Sequence, residues 1–227
     1  MKKTLFSLLF LFICGLGVQA QNFSGTITYH PTVTGENAAM AQAMMPSSYI
    51  YKVSDQNLLL KIEGGMMASM MGDFLVVGKK GKSYMIKHAE KKAYLIKKIE
   101  DTGEKSSPVI TKEDETAVIL GHTCQKYKVE LENAGMGTMT QYVWAAADLK
   151  LAEPKAGTKK LDMGSISIKG IDGIVLKSVT EIMGMTMTNT ATDISTEVPS
   201  KSTFTVPKGY KVEEKSIEDI MGGMGGM

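Results

Sequence analysis

"FLVVGKKGKSYMIKHAEKKAYLIKK", Phe74 to Lys98, holds three apolar runs separated by two short polar turns. The runs Phe74 to Gly78, Ser83 to His88 and Ala93 to Lys98 have strand length, and "KKGK" and "HAEK" are hairpin-sized connections. Two hairpins in succession make an antiparallel meander. Phe74 to Val77 is apolar at every position, so this strand must be covered on both faces.

The same pattern extends toward the N-terminus. "YIYKV" and "LLLKIEG" flank "SDQN", Ser54 to Asn57, a turn of polar residues that fold back on their own backbone. "FSGTITY" alternates, with Phe23, Gly25, Ile27 and Tyr29 on one side and Ser24, Thr26 and Thr28 on the other. Between these strands, "ENAAMAQAMM", Glu36 to Met45, has alanine and methionine at helical density and stops before Pro46. "MMASMMGD" lacks strand character and reads as a helical turn or loop at the sheet's edge.

Toward the C-terminus, Glu100 to Glu115 is charged and turn-rich and reads as a connection. "AVILGHTCQKYKVEL" then reads as one strand with a bulge at Gly121, where the alternation slips. "TMTQYVWAA", "SISIKG", "GIVLKSVTEI" and "TMTNTATDISTEV" continue the sheet, with "MGM", Met183 to Met185, as a hairpin tip. Ile174 to Leu176 repeats the two-faced apolar character of Phe74 to Val77. "STFTVPKGYKV" is the last core element. "SIEDIMGGMGGM" starts a helical turn at Ser216 and frays, because glycine pairs hold no conformation. The expected fold is mainly β: a curved antiparallel sheet or half-open β-barrel of about ten strands, with one or two short helices covering its concave face.

The ends of the chain set compartment and domain count. "MKKTLFSLLFLFICGLGVQA" has a charged start at Lys2 and Lys3, a short apolar run from Leu5 to Ile13, and small residues Val18 and Ala20 before a cleavage point. Cleavage after Ala20 predicts an exported or periplasmic protein. Cys14 raises a lipoprotein alternative, but Ile13 stands where a lipobox wants a small residue. Residues 1–20 are thus expected to be a signal peptide, 21–215 one domain, and 216–227 a flexible methionine- and glycine-rich tail.

Removing Lys2 and Lys3 from the 26 basic residues leaves 24 against 24 acidic ones, and every basic residue is lysine. A neutral chain without arginine is a poor reader of phosphates and base edges, so a nucleic-acid partner is not expected. Cys124 is the one cysteine left after cleavage. It reads as a small buried hydrophobe, with an intermolecular disulfide or a metal ligand as alternatives.

"GHTCQKYKVEL", "TQYVWAAADLKL", "GIVLKSVTEI" and "STFTVPKGYKV" occur in that order. Together they resemble a family of secreted Gram-negative proteins known only as a domain of unknown function, itself similar to the lipoprotein-carrier superfamily of LolA and LolB. The resemblance spans nearly all of the chain after Ala20. It implies a half-open β-barrel with helices over a concave apolar face, the face that holds acyl chains in the carriers. The carriers use an arginine in lipoprotein handling. This chain has none, so the resemblance implies a hydrophobic ligand rather than lipoprotein delivery.

Candidate sites follow from residue chemistry. The chain has no nucleophile elbow, zinc-protease helix or glycine-rich phosphate loop, and His30, His88 and His122 lie on separate segments. No enzymatic role and no cofactor are expected. The 18 methionines carry more information. Met40, Met44, Met66 and Met70 fall at helical spacing and are expected, with Phe74, Val76 and Trp144, to line a deformable apolar cavity for a lipid or other hydrophobic small molecule. Ordinary core packing is the plainer reading of the same residues.

A metal reading uses Met183, Met185 and Met187 with His122 and Cys124, since thioethers select Cu(I) and residues two apart on a strand face the same side. In the "MGGMGGM" tail, Met221, Met224 and Met227 are expected to hold Cu(I) weakly at most. The lysines from Lys79 to Lys98 read either as protection of a sheet edge or as a docking surface for an anionic membrane or an acidic protein.

Overall fold

The computed structural model describes residues 22–97, 107–133, 137–152, 166–182 and 184–222. The expected signal segment lies outside the described residues. In chain order the elements are β1 (Gly25–Gly35), α1 (Ala38–Met44), β2 (Ser48–Ser54), β3 (Asn57–Glu63), α2 (Gly65–Met71), β4 (Asp73–Val77), β5 (Lys82–Lys87) and β6 (Lys92–Ile96). They continue with β7 (Val109–Ile119), β8 (His122–Asn133), β9 (Gly137–Ala146), β10 (Ile174–Ile182), β11 (Met185–Ser195), β12 (Lys211–Lys215) and α3 (Ile217–Gly222).

The strands form one open, curved sheet of 12 members, ordered β12-β6-β5-β4-β3-β2-β1-β11-β10-β9-β8-β7. Two antiparallel meanders, β2 to β6 and β7 to β11, are thus joined through β1, which pairs with both β2 and β11. β12 returns to lie parallel to β6. The mainly β architecture with few, short helices is the one expected from the hairpin spacing.

The two-faced apolar strands are covered as their composition requires. On one face, Ile27, Tyr29, Tyr51, Val53, Leu60 and Trp144 belong to the largest buried cluster. Period-two alternation sends their neighbours to the other face, where two smaller clusters form. Val143, Ala145 and Val175 pack there with Ile168 and Ile171 of the connection before β10. Leu75, Ile86 and Ala93 pack with Phe204, Val206 and Tyr210 of the segment before β12.

Three expectations change. "SISIKG" is not a strand: its isoleucines cover the sheet rather than extend it. Gly121 is not a bulge but the second residue of a two-residue hairpin turn, with Leu120 at φ 49° and Gly121 at φ 85°. Both positive values are what such a turn demands, and leucine there hides the signal. The charged stretch at 109–115 belongs to β7, an edge strand whose charges discourage sheet-to-sheet pairing. The helical turn expected at Ser216 is present: its Oγ accepts the Asp219 N–H at 3.0 Å, capping α3. Ile217 and Ile220 of α3 pack on Met85, Tyr94 and Ile96. Residues 223–227, with Met224 and Met227, lie outside the described residues.

Candidate functional site: the helix-covered apolar face

The largest apolar cluster is built by register. Tyr29, Tyr49 and Ile62 are lateral partners across β1, β2 and β3, as are Ile27, Tyr51 and Leu60. Leu60 lies opposite Phe74 of β4, which lies opposite Met85 of β5. The rings of Tyr29 and Tyr51 meet edge-on, 5.4 Å between centroids. The buried Tyr29 hydroxyl donates to the Val175 carbonyl at 2.7 Å, tying β1 to β10 through the core. Burial pushes the Tyr29 phenol well above its usual range, with Tyr51 and Cys124 adding to the shift.

α1 and α2 sit against one another beside this face. Gly65 opens α2 so close to the Met45 carbonyl that any side chain there would strike it. Only Ala68 and Met71 of α2 pack against the apolar cluster. α1 is held instead by Gln42, whose Oε1 accepts the Val33 N–H at 2.9 Å and whose Nε2 donates to the Pro31 carbonyl at 3.4 Å. β2 pairs with β1 only as far as Tyr29, so this one amide side chain continues the ladder after the strand has left. Neither helix carries a charged residue.

The expected ligand-lining residues divide into two groups. Phe74 and Trp144 belong to the apolar cluster, and Val76 lies opposite Leu58, another of its members. The four methionines point outward: Met40 is 69% exposed, Met66 57%, Met44 46% and Met70 39%. Helical spacing located their helices. It did not reveal which stripe faces the sheet, and here alanine and Met71 do. A cavity of about 370 Å³ lies elsewhere, among Ser107, Val109, Glu130, Glu132 and Thr138.

The metal-ligand candidates are not brought together. Cys124 is opposite Ala146, which is opposite Ile174 at the start of β10. Met185 and Met187 are opposite Ile182 and Thr180 at its far end. The two sets therefore stand roughly 25 Å apart along β10. The buried Cys124 thiol donates to the His122 carbonyl at 3.5 Å, and burial, with Asp148 nearby, pushes it up to about 11. His122 Nδ1 is taken by Asp148 at 2.7 Å. Met183 lies outside the described residues, and no group of three or more His, Cys, Asp or Glu with metal-site geometry occurs among those described.

β12 brings two glutamates and two lysines beside the lysine-rich hairpins. Lys92 lies 3.7 Å from Glu90 and 3.9 Å from Glu213, and the Lys215 ammonium stands 4.6 Å from the Tyr94 ring centroid. Lys80, Lys82, Lys91 and Lys97 are exposed. Lys98 lies outside the described residues.

Two polar clusters escaped the reading of the sequence. The buried Asp73 carboxylate holds His88 Nε2 at 2.9 Å, and His88 Nδ1 meets the Tyr210 hydroxyl at 2.9 Å. Tyr210 closes the "FTVPKGY" segment, but its partner is 122 residues away and no local signal joins them. In the second, Lys126, Trp144 and Lys177 stand opposite one another across β8, β9 and β10. The Lys126 and Lys177 ammonium groups lie 5.3 and 4.6 Å from the Trp144 ring centroid. Lys126 also pairs with Glu115 at 2.7 Å.

No family model and no curated protein match this chain. Among solved structures, it is similar to PNGF-II at 16% identity and TM-score 0.51, over 89% of this chain and 33% of that one. The chain thus spans about a third of PNGF-II, and the likeness is one of fold. Two further matches are LprF from Mycobacterium bovis and a LolA superfamily protein from Nitrosomonas europaea. The first has 13% identity and TM-score 0.35, over 82% of this chain and 90% of that one. The second has 8% identity and TM-score 0.34, over 81% and 90%.

Proposed function

We propose that this protein is an exported, non-catalytic binding protein that holds a lipid or other hydrophobic molecule on the apolar face beneath α1 and α2. The observation that carries the reading is the weak, uncharged hold of the helix pair. α2 meets the apolar cluster through Ala68 and Met71 alone, and α1 buries no residue fully. Lifting α2 would expose about 2–3 kcal/mol of apolar burial, which an acyl chain laid in its place would restore. A sheet face closed by a charged or deeply keyed helix would not trade partners so cheaply.

In this reading Phe74, Val76 and Trp144 form the floor of the site. Met40, Met44, Met66 and Met70 form its deformable rim, where unbranched thioether chains adapt to ligands of different shape. The resemblance to the lipoprotein-carrier superfamily supports the same class of ligand.

Trp144 is the single tryptophan, so its emission reports the floor directly. Titration with 1-dodecanol below its solubility limit should shift that emission saturably at one equivalent. The double variant Met66→Glu, Met70→Glu should stay folded, because both side chains are exposed, and should bind at least about 10-fold more weakly, because a charge must be desolvated at the rim. An emission spectrum indifferent to every apolar titrant would end the proposal.

A further inference from the structure

The pairing of β7 with β8 is broken at one place. Lys112 is opposite Tyr127 and Thr116 opposite Gln125, so Glu113, Asp114 and Glu115 face the single residue Lys126. The Gln125 side-chain amide holds this bulge closed: its Nε2 donates to the Glu113 carbonyl and, at 3.1 Å, to the Glu115 carbonyl. Bulges re-aim side chains. This one turns the Glu115 carboxylate back over the sheet, where it accepts from Lys126 Nζ at 2.7 Å and lies beside the Trp144 indole N–H. These donors, with the nearby Lys177 charge, hold the Glu115 carboxyl below its ordinary range.

Trp144 is 7% exposed and belongs to the apolar cluster, with Tyr142, Val179, Ala117 and Ile119 packed against the same cluster. Two ammonium groups, one indole N–H and an apolar surface therefore meet at one point. We propose that Lys126, Lys177 and the Trp144 indole N–H form a recognition site for the anionic head, carboxylate or phosphate, of an amphiphile whose chain lies on the apolar face, and that Glu115 is the internal competitor for that site. This rests on the hydrophobic-ligand reading and narrows it to anionic amphiphiles.

The chemistry is specific in three respects. All three groups only donate, so the site takes an acceptor with no protons to offer, which a carboxylate or phosphate is. Lys126 is paired with Glu115 and also feels the Glu113 charge, whereas Lys177 makes no ion pair among the described residues. A ligand head replacing Glu115 gains Lys177 as a direct partner. Glu115 is also free to leave: its side chain is 55% exposed, on a bulge of the sheet's edge strand.

The test compares three probes by Trp144 emission and calorimetry: dodecanoate below its micellar concentration, 1-dodecanol, and inorganic phosphate. Dodecanoate should bind about 10-fold more tightly than dodecanol, the ordinary advantage of one charge-assisted contact. Lys177→Gln should erase that preference while leaving dodecanol affinity unchanged, and Lys177→Arg should keep it. Glu115→Gln should raise dodecanoate affinity several-fold without changing dodecanol. It supplies an independent arm should Lys177→Gln fail to fold.

Equal binding of dodecanoate and dodecanol, insensitive to both variants, would overturn the inference and leave the hydrophobic-ligand reading intact. Phosphate binding as tightly as dodecanoate would make this a free-anion site and overturn the amphiphile. If neither long-chain probe binds, the broader reading falls with it.

Discussion

Raising the pH from 8 to 11 should destabilise this protein in a way that depends on one thiol. Cys124 is fully buried between Ala117 and Ala146, its lateral neighbours on β7 and β9. Burial, with the Asp148 charge nearby, pushes its pKa from an ordinary value near 9 to about 11. The folded chain therefore keeps its proton where the unfolded chain has lost it. The folded state binds more protons between those values, so stability falls as pH rises. The contribution is fully present below about pH 9 and lost as pH climbs through about 11. A displacement of two units corresponds to about 2–3 kcal/mol.

Urea midpoints at pH 8, 9, 10 and 11 for wild type and Cys124→Ala would isolate this term. Tyr29, pushed upward mainly by burial and in smaller part by Cys124, is removed from the comparison by repeating it in a Tyr29→Phe background. Below pH 9 the two curves should differ by a constant offset. Above it they should converge by about 2 kcal/mol as the wild type loses its advantage. At pH 8 the thiolate population should also be about 100-fold below that of an ordinary cysteine, slowing alkylation by at least that factor. Parallel curves to pH 11, or native alkylation within a few-fold of the urea-unfolded rate, would refute the placement of Cys124 in the core.

Three other substitutions probe separate links. Tyr29→Phe removes the buried bond to the Val175 carbonyl and should cost about 1–3 kcal/mol in chemical denaturation. Gln42→Ala should cost about 1 kcal/mol and should speed hydrogen exchange at the Val33 amide selectively, since that amide donates to the lost side chain. Ile220→Ala, at a residue 6% exposed, should cost about 2–4 kcal/mol, or release α3 locally and raise proteolysis there.

Much of the sheet was legible because hairpins leave local marks. "SDQN" and "KKGK" join neighbouring strands, and polar turn residues between apolar runs suffice to place them. The β7–β8 hairpin was missed because Leu120 occupies a left-handed position that leucine seldom takes, so the turn looked like continuous strand. "SISIKG" misled for the converse reason. Alternating isoleucines suit a strand, but these belong to a loop packed on the sheet, and period alone does not separate the two.

The candidate site divides along the same line. Phe74 and Trp144 lie with the apolar cluster, although the unbroken apolar run from Phe74 to Val77 gives strand parity no face to choose. For the methionines, helix location was readable and orientation was not: α1 and α2 are seven residues each, too short for their apolar stripe to declare a direction. The Glu115–Lys126–Trp144–Lys177 cluster needs the register of four strands, two of them irregular at that point. No local pattern encodes it.

The proposed occupant of the helix-covered face is an apolar molecule. Native mass spectrometry of the protein isolated from its own cell envelope addresses this most directly. The expected result is a one-to-one adduct, lost on organic extraction, whose mass and fragments are those of an anionic acyl-chain lipid. A bare polypeptide that gains no adduct on incubation with total envelope lipids, or a mass raised by one copper ion, would contradict it.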